Sequence, residues 1–158
     1  MKKTMALLTG LFLISTILFS QTISTGKVPK GTKKAFAKEF AKAVKPEWSL
    51  SEGNYKVDFL LNGVKNVVIY DNSGTWQEKD VAVSVPRIPK EIKATMTKEF
   101  PGFRTTEAWQ VTTPDKVVKY HLGVLKMKEA YDVFLTPTGD ILKKDPKVQP
   151  APVQKKKK

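Results

Sequence analysis

Residues Val28-Pro29-Lys30 open a helical stretch that ends in Lys38-Glu39-Phe40, and the same pattern returns as Ile88-Pro89-Lys90 and Lys98-Glu99-Phe100. The second pattern follows the first at an offset of 60 (88 − 28 and 100 − 40). Further along, Tyr55 and Gly74 return as Tyr120 and Gly139 at an offset of 65. The larger offset predicts a short insertion in the early loops of the second copy, where extra length costs little loop entropy. A repeat of this size predicts a duplicated supersecondary unit, since a solenoid needs at least three copies.

Each copy begins with a predicted amphipathic helix. Pro29 and Pro89 suit a helix start, where the missing N–H would be unpaired anyway. In the first copy, apolar residues recur every four positions at Phe36, Phe40 and Val44, which is typical of a helix with one buried stripe. The second copy repeats the stripe with Ile92, Met96 and Phe100.

Beyond each helix the pattern alternates with a period of two, which predicts strands separated by turns. The first copy offers a strand around Trp48, then residues 55–60, 64–70 and 75–77, and the second a strand around Trp109, then residues 117–125, 130–135 and 141–142. The sequence therefore predicts an α+β fold. We expect a tandem repeat of a helix plus a four-stranded antiparallel sheet, joined into one eight-stranded sheet with the helices on one face.

Alignment of the two copies predicts which side chains lie beneath the helices. The apolar set comprises Tyr55, Val57, Phe59, Val68 and Tyr70, opposite Tyr120, Leu122, Val124, Val133 and Leu135. The intervening residues are of mixed chemistry and are expected on the uncovered side of the sheet, here called the open face. Its predicted members are Lys56, Asp58, Leu60, Val67, Ile69, Lys119, His121, Leu125, Asp132 and Phe134.

The ends of the chain differ from its middle. Lys2 and Lys3 precede an apolar run from Met5 to Phe19, which is typical of a secretory signal peptide over residues 1–21. The alternative, a membrane anchor, needs roughly 20 apolar residues, and this run is shorter. Residues 22–84 and 85–145 are the predicted repeats, and residues 146–158 form a tail rich in lysine that cannot bury enough apolar surface to order itself. We expect a periplasmic or secreted protein without a transmembrane span after cleavage.

The charge of the chain indicates an anionic surface as a partner. The net charge is +13, of which the residues from Lys143 onward contribute +6 and Lys2 and Lys3 contribute +2. A basic tail of this kind is attracted to an anionic surface, such as lipid headgroups or polysaccharide. Nucleic acid is not expected as a partner, because no RNP-type strand or recognition helix accompanies the charge.

The chain lacks the usual patterns of catalysis. It has no cysteine and one histidine, His121, so thiolate metal sites and a Ser-His-Asp triad have little to build on. We predict no enzymatic activity, no metal and no cofactor. Asp71, Asp80, Asp132 and Asp140 fall in or near turns and strand ends, where turn chemistry explains them better than paired-carboxylate hydrolysis does.

The tryptophans allow two interpretations. Trp48, Trp76 and Trp109 could stack on sugars, since an aromatic face suits that role. However, Trp48 and Trp109 recur at matching places in the two copies, and a duplicated tryptophan is more often a packing element. We expect these side chains to lie in the core.

Residues 28 to 145 resemble the PepSY-like proteins with a beta-lactamase-inhibitor-like fold that Bacteroidetes-type bacteria export. The resemblance lies in the Pro-led helices ending in Glu-Phe, the Trp strand, the Tyr-led strand, and Tyr70-Asp71-Asn72-Ser73-Gly74 with Trp76. It implies tandem modules that share one sheet, whose open face grips a partner protein in the inhibitor. No catalytic or ligand residues come with it. The second copy departs from the pattern at Leu135-Thr136-Pro137-Thr138-Gly139, which lacks the Tyr-Asp start of the turn.

Together these features predict an exported, non-enzymatic binding or inhibitor-like module. Its ten open-face residues would engage an exported or envelope protein, because apolar groups with a polar rim on an exposed sheet mark interaction surfaces. The alternative is a protein of the envelope surface, or one associated with polysaccharide, attached through its basic tail.

Overall fold

In the computed structural model, residues 21–147 are described and form one open sheet of nine antiparallel strands with two α-helices. The strands follow one another across the sheet in chain order. The elements are β1 (Gln21–Thr22), α1 (Lys30–Glu39), β2 (Val44–Ser51), β3 (Asn54–Leu61), β4 (Val64–Tyr70), β5 (Trp76–Ala82), α2 (Lys90–Glu99), β6 (Arg104–Thr112), β7 (Val118–Lys126), β8 (Glu129–Leu135) and β9 (Ile141–Pro146). The predicted signal segment, apart from Gln21, and nearly all of the predicted tail lie outside the described residues.

The sheet has one strand more than the sequence predicted. The extra strand is β1, whose two residues pair with Leu50 and Ser49 of β2. Gln21, which the sequence placed at the end of the leader, is one of them. A two-residue strand is too short to show the alternation from which strands are recognised.

Each helix begins directly after its proline and buries one stripe. Pro29 and Pro89 precede the first helical residues, and Phe36 of α1 and Ile92 of α2 are buried. The predicted stripe extends too far in the first half, because α1 ends at Glu39, one residue before Phe40, and Val44 begins β2 as an exposed side chain. Phe100 likewise lies just past α2, where it is buried in the core.

Both helices cover the same face of the sheet. Val57 packs beneath α1. Residues that pair directly across strands lie on the same face of the sheet, and successive pairs link Val57 to Val68, Lys79, Thr112 and Val118. Leu122 lies on that same face of β7, further along the strand by an even number of positions, and packs beneath α2. The apolar residues predicted to lie beneath the helices all belong to the two core clusters, one under each helix.

Trp109 is not in the core, and this prediction is wrong. Trp48 pairs with Val57 and is buried, whereas Trp109 pairs with His121 and faces the open side. The two tryptophans are 61 residues apart (109 − 48), whereas β2 and β6 correspond at an offset of 60. The residue of β6 that corresponds to Trp48 is therefore Ala108, which is buried. A shift of one residue moves a strand side chain to the other face.

The additional residues of the second half lie in the loop between β6 and β7. Ser51 pairs with Asn54 across a tight hairpin, whereas Val111 pairs with Lys119 across a longer loop. The difference in residue number across the pair grows from 3 (54 − 51) to 8 (119 − 111), which accounts for the change of offset from 60 to 65. No helix within residues 21–147 is long and apolar enough to cross a membrane.

Candidate functional site

All ten predicted site residues lie on one side of the sheet, the open face. In the first half, Lys56 pairs with Ile69, Asp58 with Val67, and Leu60 with Lys65. In the second half, His121 pairs with Phe134, while Lys119, Leu125 and Asp132 lie on the same face of β7 and β8. Nine of the ten are partly exposed.

Val67 is the exception, because it is only 6% exposed. It lies between Asp58 of β3 and Asp80 of β5 in the middle of the sheet, and Val111 beyond Asp80 is buried to a similar degree. Val67 therefore offers little surface to a partner. The alternation pattern assigns it to the open face correctly but carries no information on how far its neighbours shield it.

A hydrogen-bonded network of charged side chains lies on the second half of the open face. Asp132 Oδ1 is 2.8 Å from His121 Nε2 and accepts a hydrogen bond from Lys147 Nζ at 3.2 Å. Lys147 also donates to Glu107, whose other carboxylate oxygen accepts the indole N–H of Trp109 at 3.2 Å. The network joins side chains of β6, β7 and β8 to Lys147, the residue that follows β9.

The network shifts the ionisation of Glu107, Asp132 and Lys147 toward their charged forms. The hydrogen bond from Lys147 holds the pKa of Glu107 below its ordinary value. Partial burial raises the pKa of Asp132, but hydrogen bonds from His121 and Lys147 outweigh it and leave that pKa below its usual range. Burial lowers the pKa of Lys147, and its bonds to Glu107 and Asp132 more than restore it, so that the pKa is raised.

Aromatic groups form a row beside this network. Trp109 pairs with His121, His121 with Phe134, and Phe134 with Lys143 across three neighbouring strand pairs. The rings of His121 and Phe134 stack with centroids 4.7 Å apart and planes inclined by 12°. The Lys143 ammonium is 6.0 Å from the Phe134 ring centroid. The row offers flat, partly exposed ring surface with fixed orientation.

Gly123 makes room for the network. A Cβ at this position would lie 2.8 Å from Glu107 Cγ and 3.1 Å from Thr106 Oγ1. The glutamate therefore lies directly over the bare backbone of β7. This close approach is the physical reason for a glycine inside a strand, where it is otherwise unfavourable.

The first half of the open face contains a cleft of about 500 Å³. Its lining includes Glu47, Ser49, Lys56, Asp58, Lys65 and Trp109. Lys56 and Asp58 form an ion pair of 3.2 Å on its wall. Trp109 belongs both to the cleft and to the network, so the two halves of the open face form one continuous surface.

The aspartates fall into two groups. Asp71 accepts hydrogen bonds from the backbone N–H groups of Ser73 and Thr75 at 2.8 and 3.0 Å, as expected for a turn residue. Asp140 accepts the hydroxyl of Thr138 in the equivalent turn. Asp80 and Asp132, in contrast, lie inside β5 and β8, so their assignment to turns or strand ends is wrong.

Asp80 occupies an unusual place for a carboxyl. It lies on the open face between Val67 and Val111, and its Oδ1 is buried with no hydrogen-bond partner among the described residues. Burial, reinforced by the nearby Glu78 and Asp58 charges and opposed by Lys56, raises its pKa to about 7. No three histidine, cysteine, aspartate or glutamate side chains within residues 21–147 are grouped so that they could hold a metal ion.

Sequence patterns did not assign three residues to this site: Glu107, Trp109 and Lys147. The spacing of 61 between the tryptophans, set against the helix offset of 60, is the signal that could have placed Trp109 on the open face. Lys147 was assigned to the tail, and no local pattern distinguishes it from its neighbours.

Several solved structures share this fold. A protein of Bacteroides eggerthii, provisionally described as periplasmic, superimposes with a TM-score of 0.71 at 22% identity over 75% of this chain and 88% of its own. A DUF2874 family protein of Bacteroides uniformis gives a TM-score of 0.70 at 23% identity, with the same coverage. A BLIP-like protein of Bacteroides fragilis gives a TM-score of 0.65 at 13% identity over 77% of this chain and 88% of its own. No family model and no curated protein matches the sequence. The chain therefore has a BLIP-like fold.

Proposed function

We propose that this protein is an exported, non-enzymatic binding module that engages a protein partner through its open face. The observation that carries the proposal is the row of Trp109, His121 and Phe134, which lies beside the charged network on the side of the sheet opposite α1 and α2. Tryptophan and other aromatic residues dominate the energy of protein interfaces when they are rigidly presented.

The network supports recognition more readily than catalysis. Its carboxylates are engaged by Lys147, His121 and Trp109, and their lowered pKa values keep them charged near neutral pH. A carboxylate in this state is a poor proton donor. Hydrogen-bonded charges beside an aromatic row instead provide specificity at the rim of an apolar contact.

The similar structures support the proposal in two ways. One is described as BLIP-like, which agrees with an inhibitor-like use of the sheet, and another is provisionally described as periplasmic, which agrees with the signal-like segment of residues 1–21. The PepSY-like resemblance of residues 28–145 belongs to the same interpretation. We infer an exported or envelope protein as the partner, engaged without a cofactor.

We further infer that the two halves are copies of one unit. The bounds of α1 and α2 are offset by 60 (90 − 30 and 99 − 39), and those of β4 and β8 by 65 (129 − 64 and 135 − 70). Gln21 pairs with Leu50, and the residues 60 positions later, Val81 and Gln110, also pair (81 − 21 and 110 − 50). In this comparison β1 corresponds to the end of β5. Duplication explains why the sheet is long enough to present two linked regions on one face.

The test compares capture of a partner by matched variants. Bait protein with Trp109→Ala and Phe134→Ala is compared with the unchanged protein and with a variant carrying Ala37→Gln and Ala94→Gln on the exposed sides of the helices. A partner identified by mass spectrometry from envelope extract is purified, and its affinity for each bait is measured by calorimetry. We expect the open-face variant to lose at least about tenfold in affinity, since interface anchors contribute about 2 kcal/mol or more each. Equal affinity of all three baits for that partner would exclude the open face.

A further inference from the structure

The basic residues are concentrated on the helical side of the molecule. Residues 21–43, which include α1, contain six lysines and one glutamate, a net charge of +5. Residues 83–103, which include α2, contain four basic and two acidic residues, a net charge of +2. The strand segments 44–82 and 104–147 have net charges of −2 and +2, which cancel each other. The +7 of the described part therefore comes from the two segments that cover one face of the sheet.

The outer surface of α1 carries the clearest part of this charge. Lys30, Lys34 and Lys38 recur every four residues and are exposed, on the side of the helix away from the buried Phe36. The only acidic residue of α1, Glu39, is bound to Lys79 of β5. Within residues 21–147 no carboxylate forms an ion pair with the three lysines, so their charge is not neutralised by the protein.

This arrangement is unfavourable for the isolated helix. Like charges four residues apart destabilise a helix. Gly31, Ala37 and Ala41 stand between or beside the lysines on exposed positions and offer neither an aromatic ring nor a polar side chain. The surface therefore carries charge without the groups that would select a particular sugar or peptide.

We propose that the helical face docks against anionic lipid headgroups and holds the protein with its open face directed away from the membrane. Flexible ammonium groups along the outer surface of α1 match a diffuse negative surface, and each lysine adjacent to such a surface adds to the attraction. The carboxylates of Asp58 and Glu78 lie on the opposite side of the sheet, where repulsion from the membrane reinforces the orientation. This proposal does not depend on the identity of the protein partner, and it differs from attachment through the tail.

The test measures binding of the exported protein, with its tail present, to vesicles of phosphatidylcholine with and without phosphatidylglycerol. The helical variant carries Lys30→Gln, Lys34→Gln and Lys38→Gln. The matched control carries Lys65→Gln, Lys116→Gln and Lys128→Gln, three exposed lysines of the strand segments, and so has the same net charge. A third variant changes Lys155 to Lys158 to Gln. Circular dichroism and the melting temperature establish that each variant is folded.

We expect binding that requires phosphatidylglycerol and weakens with added salt. The helical variant should lose at least about tenfold in affinity, given the contribution of each lysine near an anionic surface, and the control less than about threefold. Equal losses in the helical variant and the control would overturn the proposal, because net charge alone would then account for binding. Loss confined to the tail variant, or binding to an anionic polysaccharide but not to the vesicles, would also overturn it.

Discussion

His121 and Phe134 face each other across β7 and β8 with their rings stacked at 4.7 Å, while the same imidazole contacts Asp132 two residues before Phe134. One side chain thus links the aromatic row of the open face to its charged network. The stacking orients the ring of Phe134 without burying it, so a partly exposed phenyl group is presented in a defined orientation. Side chains that are already ordered lose less entropy when a partner binds.

The two tryptophans should respond differently to truncation. Trp48 is 3% exposed and packs against Phe36, so Trp48→Ala should lower the free energy of unfolding by about 3–5 kcal/mol. Trp109→Ala removes a partly exposed ring and one hydrogen bond, and should cost no more than about 1.5 kcal/mol. Urea unfolding monitored by circular dichroism measures both values. Similar losses in the two variants would mean that Trp109 is a core residue after all.

Gly123 should not tolerate a methyl group while Glu107 is present. The new Cβ would lie 2.8 Å from Glu107 Cγ, so Gly123→Ala should displace this side chain and reduce stability by about 1–3 kcal/mol. In a Glu107→Ala background the same substitution should cost at least about 1 kcal/mol less, because residues in contact couple by about 0.5–3 kcal/mol. Urea midpoints of the four proteins in this double-mutant cycle provide the measurement. Strict additivity would show that the close approach has no energetic effect.

Asp80 should make stability fall as the pH rises toward neutrality. Its pKa is about 7 in the folded protein and 3.8 in its ordinary state, so folding favours the protonated carboxyl. The associated stability is fully present below the ordinary pKa and is lost as the pH rises through the folded value. We expect this contribution to lower the melting temperature between about pH 4 and pH 7, the range bounded by the two pKa values. Asp80→Asn, which cannot ionise, should flatten this decrease, and a slope that is unchanged in the variant would refute the assignment.

Pro146 should protect the β9 edge of the sheet, where β9 is the last strand of the described residues. Lys147 donates its N–H inward to Ala130 of β8, and alternation along β9 directs the nitrogen of residue 146 outward. Proline has no N–H there, so the edge lacks one donor for pairing with another chain. Pro146→Val should therefore increase self-association with concentration in sedimentation velocity. Pro114→Val, in the exposed loop between β6 and β7, serves as the control and should leave self-association unchanged.

Much of the fold could be predicted from local sequence patterns, because the buried side chains of this protein follow the helical and strand periodicities. The helix prolines and the apolar stripes placed α1 and α2, and the alternation in β3, β4, β7 and β8 identified their covered side chains. The same alternation assigned His121, Asp132 and Phe134 to the open face. Helix ends were less accessible, because Phe40 and Val44 continue the helical spacing although the chain has already left α1.

Local sequence patterns alone predict α1, α2 and eight of the nine strands, and they indicate which side of each central strand is apolar, since both follow from backbone geometry and from the removal of apolar area from water. The paired strands were needed to show that Ala108, and not Trp109, takes the buried position, because strand register depends on where the loop of residues 113–117 adds length. It also brought Lys147 from the end of the sheet to Glu107 and Asp132, and surrounded Asp80 with Val67 and Val111. Contacts between strands far apart in the chain carry no local periodic signal, so the charged network became visible only once the strands were paired.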